Sequence, residues 1–250
     1  MDQDLINIVE DLPKGGARIL LEGFPDVGLV GFISVSYMIE KLEMKEIGYI
    51  DSELLPPLVV INDSKVRNII RLYHKDDIAA LISEIPIPLP LIRPLGNSLI
   101  DWCKGKEIKE VISISGIAEP NRLDIDVPKV LAIASNKDFL DYLTHKIGIE
   151  KFDEGYLTGF KAELLKEGAK RNFNVALLLA QAHFNYPDPG AAAQMILSLS
   201  KLFDRKIDVT PLLKSAEMLK VQMRDLMRRT NENLIRLQKS KEMEVPPVYV

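Results

Sequence analysis

Several stretches of this chain are apolar at nearly every position and rich in β-branched residues. The clearest are residues 111–115, with the sequence VISIS, and residues 175–180, with the sequence VALLLA. A strand with this composition is typical of a sheet that is buried on both faces, because neither face presents a row of polar side chains to water. The chain must therefore fold around a sheet that is covered on both sides.

Helix-like segments separate the apolar runs, and this alternation predicts an α/β fold with a mostly parallel central sheet sandwiched by helices. The predicted strands are 18–22, 48–50, 58–61, 68–74, 79–84, 110–116, 130–134 and 175–182. The predicted helices are 27–42, 89–104, 137–146, 158–172, 190–203 and 211–238. Asp26 is expected to cap the first helix, Asn136 the third, and Thr210 with Pro211 to begin the last.

We expect a core domain at residues 1–207, a helical extension at 208–239 and a flexible tail at 240–250. The long final helix carries an apolar stripe at three- and four-residue steps, which suits packing on the chain's own sheet and a subunit interface equally well. The stripe consists of Ala216, Leu219, Met223, Leu226, Thr230, Leu234 and Leu237. The other faces of the helix are basic, which fits a solvated face or a docking surface for an acidic partner. Pro246 and Pro247 favour an extended spacer near the end.

The net charge of -4 gives no reason to expect nucleic acid or an anionic membrane as a partner. The sequence begins with acidic residues where a signal peptide would be basic, and it contains no apolar run near the roughly 20 residues that span a bilayer. We therefore expect a cytoplasmic protein. The single cysteine, Cys103, follows an apolar helical segment and is expected to pack in the core.

A glycine-rich segment, Gly23-Phe24-Pro25-Asp26-Val27-Gly28-Leu29-Val30-Gly31, follows a predicted strand and opens a helix. Many α/β proteins bind phosphates at this position. However, Leu29 and Val30 stand where a P-loop has its Lys and its Ser or Thr, and Val27 replaces a glycine of the dinucleotide fingerprint. The segment therefore favours a tight turn with close helix packing over nucleotide binding.

No catalytic, cofactor-binding or metal-binding residue is predicted. The histidines, His74, His145 and His183, are far apart in sequence and lack a second ligand at metal-binding spacing. Ser113 and Ser115 lack the surrounding sequence of a nucleophile elbow. Carboxylates near strand ends, where α/β active sites form, remain weaker candidates. They are Glu22, Glu53, Glu84 and Glu119.

The last three residues, Val248, Tyr249 and Val250, form the most specific signal. A terminal carboxylate can be bound by a lysine or by backbone amides, and a tyrosine ring adds a large apolar surface with a hydrogen-bonding hydroxyl. We therefore predict that these residues bind a partner.

The tail matches the hydrophobic-tyrosine-X ending of proteasome activators and of some archaeal proteasome assembly chaperones, and the whole chain resembles the proteasome assembly chaperone family. The residues that carry the resemblance outside the tail are the glycine-rich segment 23–31, Gly155 with Gly159, and residues 187–192. The resemblance implies a sandwich with nucleoside-phosphorylase-like topology, no catalytic residues, and a homo-oligomer, for which we expect a tetramer or pentamer. It also implies that Val248, Tyr249 and Val250 enter pockets between α-subunits of the proteasome 20S core particle.

The leading hypothesis is thus an ATP-independent proteasome assembly chaperone or core-particle-binding protein that is not an enzyme. Two alternatives remain open. One is a nucleoside-phosphorylase-like enzyme that uses polar strand ends such as Glu84, Ser115 and Glu119. The other is a structural oligomer whose basic final helix binds an acidic partner.

Overall fold

The computed structural model describes residues 5–221, which fold around a nine-stranded sheet of order β1-β3-β6-β7-β2-β8-β11-β9-β10. The strands of this sheet are β1 (Asn7–Glu10), β2 (Ile19–Gly23), β3 (Lys45–Asp51), β6 (Ile70–Lys75), β7 (Ile78–Ser83), β8 (Glu110–Ala118), β9 (Val130–Ala134), β10 (Glu150–Lys151) and β11 (Asn174–Ala182). A separate hairpin consists of β4 (Val60–Asn62) and β5 (Lys65–Arg67).

The sheet is parallel at its centre and mixed towards its edges. Strands β7, β2, β8 and β11 pair in parallel, whereas β1, β3, β6 and β7 form an antiparallel set on one side and β9 runs antiparallel to β11 on the other. The four central strands are buried along nearly their whole length. Because they are parallel, their carboxyl ends lie at the same edge of the sheet. The predicted α/β sandwich is confirmed, with parallel pairing confined to the middle and to the short β9–β10 contact.

Helices cover both faces of the sheet. They are α1 (Val30–Lys41), α2 (Ile92–Gly105), α3 (Lys137–Ile147), α4 (Gly159–Lys170) and α5 (Pro189–Leu202), and short 3-10 turns precede α1 and α2. Helices α1, α3 and α5 contribute to one buried cluster, and α2 and α4 to the other. Alternate residues of β11 divide between the clusters, with Leu178 in the first and Leu177 in the second. This confirms that the apolar runs are buried on both faces.

The helix starts agree only in part with the expected caps. Asn136 accepts a hydrogen bond from the N–H of Phe139 at 2.9 Å, as predicted. The prediction for Asp26 is wrong, because a left-handed residue, Leu29, directly precedes α1. The last helix begins at Thr210, and the N–H of that residue donates to the carboxylate of Asp208 at 2.9 Å.

Three short strands, β1, β5 and β10, were not predicted from the sequence. Each has two to four residues and lies at an edge or in the separate hairpin, where half-exposed polar residues hide the alternation that marks a strand. The hairpin turns at Asp63 and Ser64, both with positive φ (49° and 58°). A turn of this kind is usually signalled by a glycine, which this sequence lacks at both positions.

The beginning of the final helix packs on the chain's own domain. Ala216 and Leu219 are partly buried, and Lys220 pairs with Asp126 at 2.5 Å. The first two members of the predicted stripe therefore face the domain itself. The remainder of the stripe, from Met223 onwards, and the predicted tail at 240–250 lie outside the described residues.

Cys103 lies on the inner face of α2 and is completely buried, as predicted. Burial raises the pKa of its thiol far above the ordinary value, because the surrounding apolar groups cannot solvate a thiolate. Between residues 5 and 221, no helix combines the length and apolar character that crossing a membrane requires.

Candidate functional site

Three segments that are distant in sequence meet at the carboxyl edge of the central strands. They are the glycine-rich turn after β2, the start of α4 and the turn before α5. The N–H of Asp188 donates to the carbonyl of Gly28 at 2.8 Å, which joins the first and third segments. Lys161 Nζ lies 2.7 Å from Asp26 Oδ2, which joins the first and second. Open α/β sheets place their ligands at this edge, so it is the first place to look for a site.

The glycine-rich turn is shaped by close packing. Gly28 has a φ of 63°, and a side chain there would bring Cβ to 2.9 Å from the Cβ of Ala182. A side chain at Gly31 would overlap the carbonyl oxygen of Ile114, which holds α1 tightly against β8. The expected tight turn with close helix packing is confirmed.

Glu22 is a completely buried carboxylate within β2. Its Oε1 accepts a hydrogen bond from the N–H of Phe24 at 2.7 Å, and its Oε2 accepts one from the hydroxyl of Ser113. Lys161 Nζ is 3.9 Å from Oε1, at the outer limit of an ion pair. The carboxylate is thus hydrogen-bonded on both oxygens while being removed from water.

Burial raises the pKa of Glu22 above its ordinary value of 4.5, because desolvation disfavours the charged form. The charge of Lys161 and the hydrogen bonds from Ser113 and Phe24 act in the opposite direction but are outweighed. The carboxyl group of Glu22 therefore holds a proton more tightly in the folded protein than in the unfolded chain.

Lys161, in the first turn of α4, is 8% exposed, and its ammonium group is held by three partners. It donates to the carbonyl of Ile114, donates to the carbonyl of Phe24 at 3.3 Å, and pairs with Asp26. An ammonium group has three N–H donors, so each donor has an acceptor. Lys161 thereby fastens α4 to the ends of β2 and β8.

Asp26 is bonded on only one of its two oxygens. Its Oδ2 accepts a hydrogen bond from the hydroxyl of Ser115 and the ion pair from Lys161. Its Oδ1 is buried and has no hydrogen-bond partner among residues 5–221. A buried carboxylate oxygen without a donor is costly, which makes this atom the exception in an otherwise well-bonded network.

A cavity of about 350 Å³ adjoins this network. Asp26, Ser115, Lys161, Thr158 and the exposed Tyr156 supply polar groups to its lining. The remaining wall is mainly apolar and comes from the loops after β2, β7 and β10 and from strands β8 and β11; it includes Phe24, Ile87, Ile92, Phe152, Leu157, Phe160 and Leu179. An apolar pocket with a few convergent polar groups is the usual form of a small-molecule site.

A second ionic cluster lies at the same edge, centred on Arg122 and Asp188, which are 7% and 2% exposed. Arg122 Nε and Nη2 donate to the two oxygens of Asp188 at 2.8 and 3.1 Å, and Nη1 donates to the carbonyl of Ile125 at 2.6 Å. Asp188 also accepts from the N–H groups of His183 at 3.1 Å and Ala191 at 2.9 Å, the latter as the cap of α5. Both members of this bidentate pair therefore have further hydrogen bonds, to a backbone carbonyl for Arg122 and from backbone N–H groups for Asp188.

His183 belongs to the second cluster and stacks near Tyr186, with ring centroids 4.3 Å apart. Burial lowers the pKa of His183 below 6.5, because desolvation outweighs the attraction of Asp188. A smaller cavity of about 220 Å³ separates this cluster from the final helix and is lined by residues such as Leu213 and Lys220.

Of the residues predicted at strand ends, the structure brings three into the network around Lys161: Glu22, Ser113 and Ser115. Glu84 instead binds Arg71, and Glu119 accepts a hydrogen bond from Gln181 at 2.9 Å. Glu53 lies in the turn after β3.

The histidines are not grouped for metal binding. His74 Nε2 is 2.9 Å from the carbonyl oxygen of Gly16, His145 lies on α3, and His183 is in the second cluster. Within the described part of the chain, no three His, Cys, Asp or Glu residues are arranged to hold a metal ion.

The sequence reasoning missed Lys161, Arg122 and Asp188, which organise the edge. Lys161 precedes Leu164 and Leu165 by three and four residues, so its position on the buried face of α4 could have been read from helical spacing. Asp188 directly precedes Pro189 at the start of α5, which is a recognisable cap. Arg122 carries no such signal, because it lies in a short 3-10 turn (Arg122–Asp124) within the loop after β8.

The predicted partner-binding residues, Val248, Tyr249 and Val250, lie outside the described residues. They therefore stand as a prediction from the sequence.

Comparison with known proteins gives consistent matches over nearly the whole chain. The model of the PAC2 family matches residues 20–227. A protein of Methanocaldococcus jannaschii, described as uncharacterized, is 28% identical over 232 residues, which cover 93% of this chain and 92% of the relative.

Two solved structures from Pyrococcus furiosus share the fold. PbaA, described as an archaeal homolog of proteasome-assembly chaperone, superimposes with a TM-score of 0.80 at 28% identity, covering 96% of this chain and 99% of PbaA. PbaB, described as an archaeal proteasome activator, gives a TM-score of 0.79 at 22% identity, covering 89% of this chain and 99% of PbaB.

Proposed function

This chain belongs to the PAC2 family, and from that premise we propose that it is a non-catalytic, ATP-independent partner of the proteasome 20S core particle. The observation that carries the proposal is the likeness to PbaA, which extends over 96% of this chain at 28% identity. PbaA is described as a homolog of a proteasome-assembly chaperone, and PbaB, which has the same fold, as a proteasome activator. Both descriptions point to the same partner.

The contact residues in this proposal are Val248, Tyr249 and Val250, which dock between neighbouring α-subunits. The tyrosine ring supplies most of the apolar surface, and the carboxylate of a chain that ends at Val250 supplies a charge for a basic or amide-lined pocket. We expect the prolines at 246 and 247 to favour an extended spacer between the domain and the docking residues.

The start of the final helix supports this arrangement. Leu213, Ala216 and Leu219 line the smaller cavity beside the second ionic cluster, and Lys220 pairs with Asp126. The helix thus begins from a fixed point at the carboxyl edge of the central strands.

Three residues bury too little surface for tight binding alone, so the proposal includes a homo-oligomer, a tetramer or pentamer, that presents several tails to one ring. Once one tail is bound, the others act at a high effective concentration. The paired charges in the body, such as Arg122 with Asp188, support a structural role for that body.

The decisive experiment measures binding of the full chain to purified α-subunit rings on native gels. Deletion of residues 248–250 and the substitution Tyr249→Ala should each reduce binding at least tenfold while leaving the melting temperature unchanged. Tyr156→Ala is the matched control, because Tyr156 is fully exposed on the folded domain. Undiminished binding by the deletion variant would refute docking through the tail.

A second arm tests the carboxylate. Two residues, Gly-Ser, added after Val250 keep the tyrosine but move the charge, and binding should fall as it does for Tyr249→Ala. Measuring ring formation from free α-subunits and peptide hydrolysis by complete core particles with the same proteins then separates an assembly role from an activating role.

A further inference from the structure

The separate hairpin of β4 and β5 exposes a group of large apolar side chains that the proposed function does not use. The side chains at 58, 59, 61 and 66 form this hairpin patch: Leu58, Val59, Ile61 and Val66 are 48%, 52%, 63% and 70% exposed. The prolines at 56 and 57, directly before the patch, are exposed as well. A contiguous apolar patch on a folded domain usually marks a contact with another molecule.

The register of the hairpin gives it two different faces. Ile61 pairs with Val66 across the strands, so both side chains lie on one face, and both are exposed. The neighbouring pair, Val60 with Arg67, lies on the other face and is half-buried. Arg67 Nη1 is 2.9 Å from Glu46 Oε2 on β3, which ties this inner face to the domain. The outer face is therefore the apolar one.

The hairpin has little to stabilise it by itself. Its strands have three residues each, and they pair only with one another among residues 5–221. A two-stranded hairpin is marginally stable in water unless one face packs on something. Its turn adds a cost, because Asp63 and Ser64 have positive φ without being glycine. Packing on the outer face would supply the missing stability.

The charges of the hairpin favour a second copy of this chain as the partner. The hairpin patch contains no charge, and the tip carries one acid and one base, Asp63 and Lys65, both exposed. Such a surface can pack on itself around a two-fold axis without setting like charges against each other. An anionic membrane would instead require a cluster of basic residues. Here Lys65 is exposed, while Arg67 is already paired with Glu46.

The area of the patch suits a contact between two copies. At roughly 100 Å² for each exposed side chain, the hairpin patch and the two prolines offer on the order of 500 Å² per copy, against about 800 Å² per partner in a standard interface. The patch would thus supply most of a two-fold contact, with the flanking loop providing the rest.

From these features we propose that the hairpin patch packs against the same patch of a second copy around a two-fold axis. The inference rests on the proposed function only in that both require a homo-oligomer, and it makes that oligomer more specific. A two-fold contact joins subunits in pairs, so the number of subunits is even, and a tetramer is favoured over a pentamer.

The molar mass of the full chain, measured by light scattering during size-exclusion chromatography, tests the contact. Val66→Lys places a charge in the patch, so the mass should fall by half or more and the Kd of association should rise at least tenfold. Val127→Lys is the matched control, because Val127 is 67% exposed but lies outside the hairpin, and it should leave the mass unchanged. Ile61→Lys provides a second variant if the first fails to fold. An unchanged mass in a folded variant, or a parent protein with one subunit or an odd number of subunits, would overturn the proposal.

Mixing two variants tests whether the partner is a second copy. Val66→Lys and Val66→Glu should each dissociate alone, and an equimolar mixture should recover the mass of the parent, because opposite charges then meet in the patch. Dissociated variants that do not recover on mixing would overturn the two-fold contact.

The same measurement separates this contact from docking through the tail. Deletion of residues 248–250 should leave the mass unchanged, so loss of ring binding with an intact oligomer would bear on the tail alone. A mass that fell on this deletion would place the tail in the subunit contact and overturn the proposal.

Discussion

Two ionic clusters occupy the same edge of the sheet but differ in how completely they are bonded. In the cluster around Arg122, the guanidinium and the carboxylate of Asp188 form two direct hydrogen bonds and use their remaining positions on backbone groups. In the cluster around Lys161, the carboxylate of Asp26 keeps one buried oxygen without a partner in the described chain.

The difference separates the roles of the two clusters. A fully bonded buried pair stabilises only if it stays intact, and it has no spare group to offer a ligand. The network around Lys161 leaves one oxygen of Asp26 unbonded, and that oxygen is shut off from water-sized groups. The Arg122 cluster therefore acts as a fastener between loops and α5, and the Lys161 cluster fastens α4 while leaving one carboxylate oxygen unbonded.

The largest effect should come from breaking the complete pair. Asp188→Ala leaves Arg122 buried without its counter-ion and removes the cap of α5, so the free energy of unfolding should fall by roughly 3–5 kcal/mol. Denaturant unfolding measures the loss. Asp204→Ala, which breaks an exposed pair with Lys146, is the control and should cost at most about 1 kcal/mol. Similar losses for the two variants would show that the buried pair is not a fastener.

A smaller loss is expected in the cluster around Lys161. Lys161→Met keeps the length of the side chain but leaves Asp26 and Glu22 without the ammonium, at a cost of roughly 1–3 kcal/mol. The cost is limited because Glu22 can take up a proton and because the side chain of Asp26 is 22% exposed. If Lys161→Met destabilised the protein more than Asp188→Ala in the same denaturant series, the ranking of the clusters would be reversed.

The glycine turn that touches the Arg122 cluster can be tested with a matched pair. Gly28 and Gly148 both have positive φ, at 63° and 76°, so alanine should cost roughly 1–2 kcal/mol at either position. At Gly28 the added Cβ also meets Ala182 at 2.9 Å, whereas at Gly148 it meets nothing within 4 Å. Thermal unfolding should therefore show an additional loss of about 1 kcal/mol or more for Gly28→Ala. Equal losses for the two variants would show that the turn accommodates the Cβ added at Gly28 without a further loss of stability.

The smallest effect concerns protonation in the Lys161 cluster. The pKa of Glu22 is raised on folding, so its contribution to stability is fully present below the unfolded value of 4.5 and is lost as pH rises towards the folded value. Glu22→Gln removes this titration and keeps the shape. The stability of the variant relative to the parent should therefore increase as pH rises from below 4.5 towards the folded pKa, by about 1.4 kcal/mol per unit of pKa difference. A difference that is flat over this range would show that Glu22 does not titrate as inferred.

Much of the fold could be predicted from the sequence, because the central strands are continuous apolar runs. Strand β9 agrees with its prediction at both ends, and β8 and β11 agree within two residues. The antiparallel outer strands could not be ordered in this way. Pairing direction depends on contacts between distant segments, such as Lys45 with His74, which leave no periodic signal in the chain.

The edge clusters were less predictable than the strands. Glu22, Ser113 and Ser115 were visible as polar residues near strand ends, but their common partner, Lys161, is contributed by a helix almost 140 residues away from Glu22. Asp26 was interpreted as a helix cap because its local sequence is suitable. The structure uses it for tertiary bonding instead, since the turn at Gly28 and Leu29 moves the helix start away from it.

The buried thiol of Cys103 can report how often α2 moves away from the sheet. Cys103 is the only cysteine in the chain and is enclosed between α2 and the sheet. A thiol reagent such as a chromogenic disulfide can therefore reach it only when α2 separates from the sheet. The labelling rate of the unmodified protein therefore reports how often the layer opens. Binding to a ring that stabilises the domain would slow the labelling of Cys103 without any engineered label.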